Sequence, residues 1–137
     1  MKKFNKDMVL VSAVQVDSYR LEIRSIQDRF YIGVFDLSIN AYHWAGDLLL
    51  DFETSDMIKE DMIPYIDQVV NGKEDCDSLG IHIIGALVEP EYTYFMDDKI
   101  MDRGKLVSEK DPSMYMKTET FREIAVKWME FLESKGR

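Results

Sequence analysis

The chain has 137 residues, 46% of them hydrophobic, and its 26 acidic and 17 basic side chains give a formal net charge of −9. This length and apolar content predict one ordinary domain, residues 1–137, that buries roughly 65–70% of its unfolded surface without a disulfide or metal. The charge argues against nucleic acid or anionic membrane as partner, and no apolar run nears the roughly 20 residues of a membrane helix.

A β-meander is expected first. Met8–Val16 is apolar and rich in valine, which reads as a strand covered on both faces rather than a signal peptide. Asp17-Ser18 is a turn. Tyr19, Leu21 and Ile23 then alternate with Arg20, Glu22 and Arg24, the period of a half-buried strand. After a second turn at Gln27-Asp28, Phe30–Leu37 forms a third strand, and Tyr42–Phe52 reads as a fourth, bent at Gly46.

The middle of the chain is helical. Ser55 is a candidate N-cap, and Ile58, Met62, Ile66, Val69 and Val70 share a face at helical spacing. Pro64 lacks an N–H, so the pattern predicts two pieces: a turn near Asp56–Asp61 and a helix from about Pro64 to Val70. Asn71-Gly72 is a left-handed stop. Lys73–Ser78 is an acidic loop. Ile81–Val88 and Tyr92–Met96 form a hairpin around Glu89-Pro90-Glu91, and 103–113 is a polar loop before a short strand at Met114–Met116.

The C-terminal segment is the strongest helix pattern. Thr120 and Glu123 have capping-box spacing, with Thr118 as the alternative cap. Phe121, Ile124, Ala125, Trp128, Phe131 and Leu132 form one apolar stripe, which is expected to pack across the sheet. The fold class is therefore α+β: an antiparallel sheet built from a meander plus a C-terminal hairpin, a packed C-terminal amphipathic helix and a middle helical segment.

Catalytic motifs are lacking. His43 and His82 are the two histidines, and neither stands in a metal-ligand spacing. His43 reads as a packed or surface strand residue. Cys76 is flanked by Asp75 and Asp77, whose charges disfavour a thiolate; as the lone cysteine it also fits a reducing, cytoplasmic setting. The acids around it lack the order of an EF-hand loop, and the glycines are scattered singly rather than gathered into a phosphate loop. Neither a catalytic residue, a metal nor a cofactor is assigned.

The distribution of charge is more informative. Residues 44–102 hold 15 Asp and Glu against three Lys, a local charge of −12, while the rest of the chain sums to +3. Such a field steers a basic protein toward the acidic face. Partner contacts are expected from Asp47, Asp51, Glu53, Asp56, Glu60, Asp61, Asp75, Asp77, Asp97 and Asp98, with Trp44 and Tyr65 as aromatic anchors. The plain alternative is a solvated face that keeps the chain soluble.

Three segments resemble a broad group of small bacterial immunity proteins, which neutralise toxins of polymorphic and contact-dependent inhibition systems. They are a meander ending in the Tyr42-His43-Trp44 strand, the acidic helical stretch from Asp51 to Val70, and a tail running from Thr118-Glu119-Thr120-Phe121 to Trp128-Met129-Glu130-Phe131-Leu132. The resemblance implies a cytoplasmic, non-enzymatic inhibitor that covers the active site of a basic toxin such as a nuclease. Rival functions are a nucleic-acid mimic that blocks a DNA-binding enzyme, a small-molecule domain or enzyme with a pocket between sheet and helix that uses His43 or His82, and an assembly subunit. No oligomeric state is assigned.

Overall fold

A computed structural model describes residues 7–71, 77–78, 84–97 and 107–137 of the chain. It is an α+β fold with two antiparallel sheets. The first is a meander of β1 (Val9–Val16), β2 (Tyr19–Ile26), β3 (Arg29–Asp36) and β4 (Ala41–Tyr42), paired in that order. Two-residue turns set its register. Gln27 and Asp28 both take positive φ, as a tight hairpin turn requires, and Asp17 does so in the preceding turn. Tyr19, Leu21 and Ile23 of β2 face the core, as their alternation predicts.

Coverage of β1 differs from expectation. The strand lies at the sheet edge, and Val9, Leu10, Val11 and Val14 are 40–62% exposed. Composition favoured burial on both faces, but a strand with one neighbour is covered only as far as the helices reach.

The fourth strand is also shorter than expected. After Tyr42 the chain turns into helix α1 (Trp44–Leu49), so only Ala41–Tyr42 pairs with β3. An apolar run this short fits either period, and the arrangement around His43 described below decides for helix. Gly46 is not a bend. It lets α1 rest directly on β3, where a Cβ would lie 3.0 Å from the Val34 amide nitrogen.

The middle segment is one continuous helical path. Thr54, rather than Ser55, caps α2 (Ser55–Met57) by accepting from the Met57 N–H. A π-helical turn follows at Ile58–Met62, and then α3 (Ile63–Val70). No break separates the two expected pieces. The wide turn closes with Ile63 N–H donating to Ile58 C=O, and Pro64, which has no N–H to give, falls in the first turn of α3. Asn71 ends the helix with a φ of −84°, so it is not left-handed, and Gly72 lies outside the described residues.

The second sheet runs β5 (Asp77–Ser78), β6 (Ile84–Val88), β7 (Tyr92–Asp97) and β8 (Tyr115–Lys117). The expected hairpin around Glu89–Glu91 is present. Residues 81–83 of the expected strand lie outside the described residues. Two 3-10 turns, Ser108–Lys110 and Pro112–Met114, lead into β8.

Helix α4 (Thr118–Ser134) leaves β8 without a linker, so the capping box at Thr120 and Glu123 goes unused. Thr118 is placed by tertiary contacts instead: its N–H donates to Glu91 C=O and its hydroxyl to Glu89 C=O. The expected stripe of Phe121, Ile124, Ala125, Trp128 and Leu132 is buried. Phe131 is partly buried, stacked on Trp128 and edge-on to Phe30. The Trp128 indole N–H donates to Phe52 C=O at 2.9 Å. One buried apolar cluster joins both sheets to the helices, through Leu21, Val34, Leu48, Ile66, Phe95 and Trp128 among others.

Candidate protein-binding surface

The helical path from Ser55 to Val70 turns Ile58, Met62, Ile66 and Val69 into the core. The opposite face therefore carries Asp56, Met57, Glu60, Asp61 and Pro64, all exposed. Asp56 sits in the first turn, where the positive end of the helix favours an acid. Among the described residues Asp56, Glu60 and Asp61 form no ion pair or side-chain hydrogen bond. Lys59 is exposed in the same turn, so these four side chains sum to −2. Met57, 39% exposed, adds an apolar contact among the acids.

Several acids elsewhere are engaged within the fold. Asp67, also on α3, accepts two hydrogen bonds from Arg122 of α4, at 2.7 and 3.1 Å. Asp36 accepts from the Ser38 amide and hydroxyl. Glu53 lies 3.4 Å from Arg29. The exposed acids of α4, Glu119, Glu123, Glu130 and Glu133, alternate with Lys117, Lys127 and Lys135. Among the described residues Asp56, Glu60 and Asp61 thus form a group of exposed acids without an ion pair, with Lys59 beside them.

The other expected partner residues are distributed as follows. Asp51 is half-buried and Glu53 exposed. Together with Arg29, Phe30 and Arg137 they border a cleft of about 190 Å³ between β3 and α4. Tyr65 is half-buried and packs against the core, and so does Trp44 at the start of α1. Asp47 is half-buried with its Oδ2 shielded from solvent. Asp77 and Asp97 belong to the second sheet, opposite Val88 and Ile84. Asp75 and Asp98 lie outside the described residues, as do Cys76 and His82.

His43 is the buried N-cap of α1. Its Nδ1 accepts from the Ala45 N–H at 2.9 Å, which leaves Nε2 to donate to the Tyr115 C=O at 2.8 Å. Tyr19 and Phe95 meet the ring edge-on. Burial pushes its pKa down to about 4, against the opposing pull of the Tyr115 carbonyl, Asp36 and Asp111. Both nitrogens are thus committed to holding α1 against β8, and the cleft bordered by Asp51 and Glu53 does not include this residue.

Sequence reasoning passed over one polar cluster. On the outer face of the meander Glu22 is 5% exposed, yet it accepts from Arg20 Nε at 2.7 Å, Arg24 at 3.0 Å and the Tyr42 hydroxyl at 2.6 Å. Burial pushes its carboxyl up, but the hydrogen bonds from Tyr42, Arg24 and Arg20 outweigh this and hold it below its ordinary value. Arg20 also lies over the Phe35 ring. The signal was present as an acid between two arginines at alternate positions of one strand.

Among the described residues no group of three or more His, Cys, Asp or Glu is placed to hold a metal ion, and no helix is long and apolar enough to cross a membrane. Compared with protein-family models, curated proteins and solved structures, the chain matches none.

Proposed function

We propose that the chain is a protein-binding inhibitor that docks a basic partner on the ridge of Asp56, Glu60 and Asp61, in the manner of an immunity protein covering a toxin's active site. One observation carries the reading: among the described residues these acids stand exposed and make no ion pair, whereas Glu22, Asp36 and Asp67 are engaged within the fold. The summed field of the exposed acids speeds encounter with a cationic surface and favours a basic partner over others. Met57 adds an apolar contact among the acids.

The test begins by capturing a partner from native extract on the immobilised chain. Association of the purified partner is then timed for wild type and for Glu60→Lys/Asp61→Lys. Wild type should slow about tenfold or more between low and physiological salt, as screening shortens the Debye length to about 8 Å. The variant should associate slowly at low salt, with the gap closing at high salt. Equal rates for the two proteins, or a rate indifferent to salt, would overturn the docking site. A partner that is itself a DNA-binding enzyme, released by competing DNA, would assign the ridge to nucleic-acid mimicry instead.

A further inference from the structure

Among the described residues strand β1 is an edge without the usual protection, and it pairs with β2 alone. Its sequence, Val9-Leu10-Val11-Ser12-Ala13-Val14-Gln15-Val16, contains no charge and no proline, although exposed edges are ordinarily blunted by lysine, proline or a covering element. Val9 is 62% exposed, Leu10 50%, Val11 44% and Val14 40%. A bulge at Val11 interrupts the strand once and leaves Ser12–Val16 in regular register with β2.

We infer that two copies of the chain pair antiparallel through their β1 edges, joining their meanders into one sheet across a two-fold axis. Charge selects a second copy as the occupant. In a molecule of net charge −9, approach of two copies through the acidic ridge sets like charges face to face. An uncharged strand meets its own copy without that penalty, and an isologous contact needs only a self-complementary patch. The basic partner proposed for the ridge would find no electrostatic complement on β1. The next strand inward carries Arg20 and Arg24 around Glu22, so no acidic excess lies behind the edge. The regular edge runs only over Ser12–Val16, a small contact by the standard of specific interfaces, so the dimer is a reversible one.

Sedimentation velocity over about 1–500 µM spans the transition expected for such an interface. Wild type should pass from monomer to dimer, and amide exchange in β1 should slow as concentration rises while that in β3 does not. Ala13→Lys sets two lysines near one another across the axis and should weaken dimerisation about tenfold or more. Leu10→Lys gives an independent second variant, and a circular dichroism melt confirms that each is folded. About 0.5 M salt should leave the dimer intact or strengthen it, because screening relieves repulsion between the two acidic copies. A monomer across the whole range overturns the inference. So does a dimer that both folded lysine variants keep, or one that salt dissolves.

Discussion

Glu22 and Glu60 are both glutamates on an outward-facing surface, and their surroundings make them opposites. Glu22 is shut in by two arginines and a tyrosine hydroxyl from the same sheet. Glu60 stands on a helical ridge beside Asp61 and answers to no described side chain. The first is part of the structure's own cohesion. The second leaves folding almost indifferent to its charge and is free to act on another molecule. The same division runs through the molecule, with His43, Asp67 and Trp128 on the cohesive side. Substitutions should therefore separate into those that lower stability and those that spare it.

The largest loss is expected from Trp128→Ala, about 3–5 kcal/mol by urea unfolding, because it empties a fully buried site and leaves Phe52 C=O without its indole donor. Acid should act next, through His43. Its folded pKa of about 4 lies below the unfolded value near 6.5, so between these values the unfolded chain binds more protons. The stability this residue contributes is full above pH 6.5, declines as pH falls toward 4, and levels off below. The total is about 3 kcal/mol. His43→Asn keeps a capping side chain but cannot protonate, so it should flatten the unfolding free energy across that window. An unchanged slope would place the acid sensitivity elsewhere.

Glu22→Gln should cost about 1–3 kcal/mol, because it removes the charge that three donors converge on and leaves Arg20 and Arg24 facing each other. The smallest effect belongs to the ridge. Glu60→Lys/Asp61→Lys should shift stability by no more than about 0.5 kcal/mol, and toward higher stability if anything, since it removes no buried contact. If thermal melting shows a loss as large as that of Glu22→Gln, the ridge acids belong to the cohesive group and the contrast collapses.

What the sequence made legible was mostly local. The alternation in β2, the tight turns at Asp17 and Gln27-Asp28, and the stripe on α4 follow from periods of two and 3.6 that need no knowledge of neighbours. The errors came where a neighbour decided the outcome. Trp44, Leu48 and Leu49 satisfy strand and helix alike until the Tyr115 carbonyl, 72 residues on, orients the His43 cap. Thr118, not Thr120, begins α4 because the Glu89–Glu91 turn supplies its partners. The same limit applied to the candidate surface. The density of acid was plain in the sequence, but its division into engaged and free members was not. Asp67 looked like Glu60 until Arg122 arrived from 55 residues away.

That Asp67–Arg122 contact has a consequence for the order in which the chain is made. The meander closes through two-residue turns and can pair as soon as it leaves the ribosome. The ridge helix cannot settle so early. Its apolar side waits for α4, which lies some 50 residues downstream. At translation speeds of about 5–20 residues per second, Ile58, Met62, Ile66 and Val69 stay uncovered for several seconds in each new molecule. The segment proposed to meet the partner is thus among the last parts of the protein to become rigid.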